Sequence, residues 1–234
     1  MSRLTESLNS NKLLLHNRLV MPPMATAKGT EEGFVTNEIL DYYDEKSHGG
    51  YFGLIITEHC YVDPIGRAKA HQLSIADDST IEGWKKLAEV LHKNNVKAAM
   101  QINHAGSVAD NGGLELVGPS AIKHLRGHEV PMELTKSQIG DIINRFKLAA
   151  GRAKAAGFDA VEIHSAHSYL LNQFYSPLTN QRTDEYGGNI QNRIRIHLEI
   201  IKAVRSTVGN DFPILLRLGG CDYMEGGSTI EDCV

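Results

Sequence analysis

An α/β fold with a parallel sheet and helices on its outer face follows from three features of the sequence. Short, almost wholly apolar runs recur at residues 19–21, 53–57, 96–102, 158–163 and 212–218, the pattern of strands buried on both faces. Between them lie segments with helical periodicity, several opened by Ser or Thr three residues ahead of Glu or Gln. The spacing gives each strand its own crossover helix, and repeated βα units set neighbouring strands parallel.

Taken in order, Leu19-Val20-Met21 is a strand broken by Pro22-Pro23. Residues 36–47 form a helix opened by Thr36 and stopped at Gly49-Gly50. After the second strand, Ser79-x-x-Glu82 reads as a capping box, and the helix behind it puts Trp84, Leu87, Ala88 and Leu91 on one face. The third strand ends in Gln101-Ile102-Asn103-His104. An excursion over 105–134, with Gly112-Gly113, Pro119 and Pro131, interrupts the rhythm, and loops of that length are usually lids or disordered. Thr135-x-x-Gln138 opens a helix through Ile139, Ile142, Ile143 and Phe146 to Gly157. A further helix spans about 191–208 before Gly209, and Ser228-x-x-Glu231 promises another after the fifth strand.

The 234 residues are 41% apolar and 22% charged with a net charge of −4, the balance of an ordinary globular domain with one sizeable core. Mild acidity argues against nucleic acid or an anionic membrane as partner. The opening residues, 1–11, are polar, and no long apolar run marks a signal peptide or a membrane span. Cys60, Cys221 and Cys233 are odd in number and widely spaced, which suits reduced thiols in a cytoplasmic protein. Cys60, within an apolar context, reads as a buried small residue rather than a nucleophile.

The most informative stretch follows the fourth strand. His164 and His167 stand three residues apart at its end, with Tyr169 two further on, and three such rings at one strand end make a site candidate. The plainer alternative is that one His bonds a carbonyl and Tyr169 packs. The chain then runs N-Q-F-x-S-P-L-T-N-Q-R-T-D-E-Y-G-G-x-x-x-N-R from Asn172 to Arg193. That run resembles a signature of the Old Yellow Enzyme family of FMN-dependent oxidoreductases, and the resemblance extends from Asn17-Arg18 to the end of the chain.

The resemblance implies a (β/α)8 TIM barrel, of which about five βα units lie in this chain, forming a single FMN-binding domain over 1–234. A helix that begins at Ser228 and stops at Val234 reads as a barrel cut short. The family's flavin loop corresponds to Pro22-Pro23-Met24-Ala25-Thr26. Ala25 stands where a Thr or Cys donor is usual, so one tuning hydrogen bond is missing. His59 matches a position whose backbone meets the flavin pyrimidine; a small residue is expected there, so its side chain is expected to point elsewhere. Gln101 offers an amide complementary to flavin N3–H and C2=O, and Ser107 replaces an Arg that family members often carry. Arg217, a buried cation in need of a partner, is implied to face the N1–C2 edge, with an ion pair to Glu162 as the alternative.

By the same resemblance, FMN reduced by NADH or NADPH delivers hydride to an alkene conjugated to a carbonyl or nitro group. His164 and His167 would converge on the substrate oxygen as two N–H donors, and Tyr169, with an ordinary pKa of about 10, would protonate the α-carbon. The expected partners are a small enone-type substrate and further copies of the chain. Two rivals stay open. His104, His164 and His167 with Glu162 or Asp159 could ligate the metal of a hydrolase. A fragment of such a barrel could also be inactive or merely bind ligands, in which case the 234-residue chain would hold FMN weakly. A Schiff-base lyase lacks a Lys at any strand end.

Overall fold

The computed structural model describes residues 3–10 and 12–234; Met1, Ser2 and Asn11, which bound the polar opening stretch, lie outside the described residues. A short antiparallel hairpin comes first, β1 (Leu8–Asn9) with β2 (Leu14–Leu15). Five βα units follow. β3 (Val20–Met21) leads to α1 (Asn37–Ser47). β4 (Leu54–Ile56) and its short continuation β5 (Cys60–Tyr61) lead to α2 (Ile81–Lys93). β6 (Lys97–Asn103) leads through the small pair β7 (Val117–Gly118) and β8 (Met132–Glu133) to α3 (Lys136–Ala155). β9 (Ala160–Ser165) leads through α4 (Leu170–Tyr175) and α5 (Ile190–Arg193) to α6 (Arg195–Val208). β10 (Ile214–Leu218) precedes α7 (Ile230–Cys233).

The main strands run β3-β4-β6-β9-β10 across the sheet, all parallel, with β5 paired to β6. Spatial order therefore equals chain order. Right-handed crossovers add each strand on the same side, and the crossover helices α1, α2, α3 and α6 pack together on one face of the sheet. That is five successive units of a (β/α) barrel rather than a doubly wound sheet.

Strand alternation divides the side chains into two sets. Ala98, Met100, Ile102, Val161 and Ile163 face the helices, in one core with Trp84, Leu87, Phe146, Ile196 and Ile200. Leu54, Ile56, Ala99 and Ala160 face the barrel interior, where Leu13 and Leu15 from the hairpin close the lower end and Leu215 packs against them. Higher on the same interior rows the residues turn polar: Gln101 pairs in register with Glu162, and His164 with Arg217. The apolar floor and polar rim place the chemistry at the C-terminal ends of the strands, as in barrels generally.

Helix boundaries follow local chemistry with three corrections. Thr36 caps α1 by accepting from Ile39 N–H, and Thr135 and Gln138 form a complete capping box on α3. Ser79 and Glu82 do not form theirs. Asp77 instead accepts from Ser79 N–H to cap a short 3-10 turn over Asp78–Thr80, which feeds α2 directly. At the last helix the box is one residue later, Thr229 with Asp232. The helix expected over 191–208 is two: α5, capped by Asn189, ends where the Arg193 guanidinium turns inward to Tyr175 O (2.8 Å) and Gly188 O (2.7 Å). The hairpin and the β7/β8 pair are too short, at two residues per strand, to register as periodicity.

Candidate active site

His164 ends β9 on the interior row, and the chain then turns through His167 and Ser168, both in the left-handed region at φ 59° and 65°. Non-glycine residues adopt that conformation at an energetic cost and cluster at functional sites. Here surrounding bonds hold it. Arg126 Nη1 donates to His167 O (2.9 Å), Asn172 Oδ1 accepts from Ser168 N–H (2.8 Å), and Gln173 Nε2 donates to Ser168 O (2.7 Å). Tyr169 then serves as the first residue before α4.

The turn brings four rings together. His164 lies 5.0 Å from His167, 5.1 Å from Tyr169 and 6.0 Å from His59 between centroids, and Tyr169 lies 5.4 Å from His59. Ala166 N–H donates to His164 Nδ1 (3.2 Å), which leaves the imidazole proton on Nε2, facing His167 Nδ1 at 3.2 Å. The two imidazoles are thus arranged in series, and His167 Nε2–H is the free end. The expected convergence of both N–H groups on one point is not how the rings sit, because the backbone claims His164 Nδ1. Burial, then the nearby His59, His167 and Arg217, depress the His164 pKa to about 2; burial, then Arg217 and Arg126, lower that of His167. Both rings are neutral at neutral pH, so each carries one N–H and one acceptor nitrogen. Burial raises the Tyr169 pKa, so its hydroxyl, which has no partner among the described residues, stays protonated.

The neighbouring strand ends supply polar groups of a different kind. Gln101 is buried, and its Nε2 donates to Glu162 Oε1 at 2.7 Å, leaving Oε1 as a free acceptor. Burial raises the Glu162 pKa against that bond and the field of Arg217. The ion pair between Arg217 and Glu162 is absent among the described contacts, and Arg217 is half-buried rather than buried, because β10 is covered on one side only. The Asn103 amide, on the same interior row, has neither polar atom hydrogen-bonded. The free Gln101 amide oxygen on β6 and the unpaired Arg217 guanidinium on β10 flank β9 from either side. Together they are complementary to a ring that offers an N–H donor along with a carbonyl and an anionic nitrogen, as the edge of a reduced flavin does.

Pro23, Met24 and Ala25 form an open loop after β3, with Met24 and Ala25 exposed. Thr26 ties that loop to the end of β4: its N–H and hydroxyl donate to the Glu58 carboxylate at 3.1 and 2.8 Å. The His59 side chain does not point away as expected; it turns into the ring cluster, held by Gln72. Gln72 and Arg126 are site residues that the sequence did not single out, since each acts from a loop distant in the chain. Cys60 is buried as expected and donates to Gln101 O at 3.3 Å.

The metal set does not assemble. Asp159 precedes β9 at the opposite end from His164, where it binds His92, Lys97 and Ala98 N–H. The His104 ring packs on Gly66 and accepts from Gly106 N–H. Among the described residues no group of three or more His, Cys, Asp or Glu is placed to hold a metal ion.

The second half of the signature stretch is a brace. Arg182, buried, donates to Pro119 O (2.9 Å) and Leu134 O (2.6 Å) and grips Asp184 with Nε and Nη2 (3.0 and 2.6 Å). Asn180 Nδ2 donates to Phe174 O and Tyr186 O, both at 2.7 Å. These bonds fasten α4 together with the middle of the excursion at Pro119 and its end at Leu134. Between excursion and α4 opens a cleft of about 360 Å³ lined by His124, Arg126, Asn172, Thr179 and Met224 among others.

Residues 6–234 match the model of the NADH:flavin oxidoreductase / NADH oxidase family. The chain is 45% identical over 224 residues to an NADH oxidase of Thermoanaerobacter brockii, covering 94% of this chain and 34% of that protein. It is 42% identical over 228 residues to an NADPH dehydrogenase of Clostridium acetobutylicum, covering 97% and 67%. Among solved structures, an Old Yellow Enzyme from Pichia sp. AKU4542 superposes with a TM-score of 0.88 at 33% identity, over 98% of this chain and 62% of that one. The chain therefore spans from about a third to about two thirds of the length of these relatives.

Proposed function

The chain belongs to the NADH:flavin oxidoreductase / NADH oxidase family, and on that premise we propose that the protein it forms is an FMN-dependent NAD(P)H oxidoreductase reducing the C=C bond of α,β-unsaturated carbonyl compounds. The observation that carries the reading is the neutral His164–His167–Tyr169 cluster standing beside the free Gln101 oxygen and the unpaired Arg217 at adjacent strand ends. Gln101, Arg217, the backbone of His59 and the loop Pro23-Met24-Ala25 would hold the flavin ring. Bound there, FMN would supply the hydride-carrying chemistry that links NADH or NADPH to the β-carbon of the alkene.

The chain's own residues then have separable tasks. His167 Nε2–H receives the carbonyl oxygen, and His164, donating to His167 Nδ1, fixes that tautomer and polarises the ring. Tyr169 holds a proton on its hydroxyl for the α-carbon. Arg126 and Gln173 keep the turn that presents all three. The reading extends to one FMN-binding barrel domain over 1–234 and to a cytoplasmic homo-oligomer working on small molecules, supported by three free thiols and a net charge of −4. No helix among the described residues is long and apolar enough to cross a membrane.

The test is anaerobic. Full-length protein carrying FMN should bleach with NADH or NADPH and recover its colour on adding cyclohex-2-enone, with cyclohexanone formed. Protein that purifies without flavin and takes up none, or that bleaches but is not reoxidised by any enone, refutes the proposal.

A further inference from the structure

The side chain of His59 has no task in the reading above, yet it is built into the site. It is 8% exposed, at the end of β4, with its ring against those of His164 and Tyr169. Gln72 Nε2 donates to His59 Nδ1 at 2.7 Å and to His59 O at 3.1 Å, while Gln72 Oε1 accepts from Ala68 N–H at 2.6 Å. The last bond fixes which end of the amide is the oxygen, so the NH2 must face His59. An amide NH2 only donates; His59 Nδ1 therefore accepts, and the ring's single proton sits on Nε2. That N–H has no acceptor among the described residues. Burial, with Lys69 and His167 nearby, brings the His59 pKa down to about 4, so the ring is a neutral donor with fixed orientation.

The site thus offers two oriented, neutral, unpartnered N–H groups, on His167 and on His59, with Tyr169 packed against His59 and His164. A substrate with one carbonyl satisfies one of them, whereas a second acceptor on the substrate satisfies the other as well and adds a hydrogen bond. We infer that His59 Nε2–H is a second anchoring donor, and that the site selects alkenes carrying a neutral oxygen acceptor at each end of the double bond, such as 1,4-enediones and esters of unsaturated 1,4-diacids. The inference rests on the ene-reductase reading and deepens it. It assigns specificity to a position where the family resemblance implies a small residue.

Equilibrium binding tests it without turnover. Cyclohex-2-ene-1,4-dione and cyclohex-2-enone are titrated into the oxidised, FMN-loaded full-length protein, following the flavin absorbance, in the parent, His59→Ala and His59→Gln. One hydrogen bond to a neutral acceptor corresponds to a preference of up to about tenfold. The dione-to-enone affinity ratio should fall by about that factor in His59→Ala and recover in His59→Gln, whose amide restores a donor. Flavin content of each variant verifies that the site is folded. An unchanged ratio in His59→Ala overturns the inference, as does an equal fall in both variants, which marks packing alone. Parent protein that holds FMN but neither binds nor reduces either compound overturns the reductase reading, and this inference with it.

Discussion

Tyr169→Phe isolates the proton donor from everything else the ring does. The hydroxyl has no hydrogen-bond partner among the described residues, while the ring packs 5.1 Å from His164 and 5.4 Å from His59. Phe keeps those contacts, so stability should stay within about 0.5 kcal/mol of the parent, the usual range for a change that breaks no buried bond. The Tyr169 pKa is raised by burial, so the parent hydroxyl is protonated across the neutral range and no pH dependence masks the comparison. General acid catalysis by a positioned side chain is typically worth about 10² to 10⁴ in rate, or roughly 3 to 5 kcal/mol of barrier. Stopped-flow measurement of the two half-reactions reads this directly: reduction by the nicotinamide should be unchanged, and reoxidation by cyclohex-2-enone slowed at least about a hundredfold. If both half-reactions fall together, Tyr169 is a packing residue and the assignment is wrong.

The serial arrangement of His164 and His167 predicts non-additivity. Each Ala variant should weaken binding of 4-hydroxybenzaldehyde, whose phenolate resembles an enolate, and the double variant should lose less than the product of the two. Independent, additive losses would contradict the series. Stability should fall with acid in a defined window. His59, His104 and His197 have folded pKa values of about 4 and His164 about 2, each below the ordinary 6.5, burial being the main cause. The unfolded chain therefore binds more protons below pH 6.5, so stability is fully present above 6.5 and is lost as pH falls toward 4, at roughly 1 kcal/mol per pH unit for each proton. Urea midpoints that stay level between pH 7 and 5 would refute this. Gly187→Ala should destabilise by about 1–3 kcal/mol, because a Cβ there would lie 2.2 Å from Arg182 O and 2.6 Å from Arg182 Cβ; an unchanged melting temperature would show that the brace yields.

Most of the barrel could be read from the chain because its determinants are local. Apolar runs give the strands, the Thr135–Gln138 box gives one helix almost to the residue, and the Trp84–Leu91 spacing gives the buried face of another. What escaped depends on partners far along the chain. The direction of His59 is set by Gln72, thirteen residues on and in a loop, after strand alternation has ended at Ile56. The half-exposure of Arg217 goes with β10 pairing, among the described residues, with β9 alone, and an apolar strand sequence is blind to its neighbours. Ser79 lost its capping role to Asp77 because a 3-10 turn shifted the helix start. The signature motif illustrates the reverse. Its letters point to chemistry, but Asn180, Arg182, Asp184 and Gly187 form scaffold, and the reactive rings lie just ahead of them.

The hairpin at the floor of the sheet has a consequence for biosynthesis. Leu13 and Leu15 leave the ribosome first, yet the interior they seal includes Leu54, Ile56, Ala99, Ala160 and finally Leu215. At about 5–20 residues per second, roughly 10 to 40 seconds separate the first of these leucines from the last. During that interval the inner faces of β4, β6 and β9 present apolar surface with no lid beneath them, and contacts of such long sequence separation form late. Slower translation ahead of Leu215 should therefore lengthen the exposure of these faces and lower the yield of native protein, which the soluble fraction from synonymous-codon variants would measure.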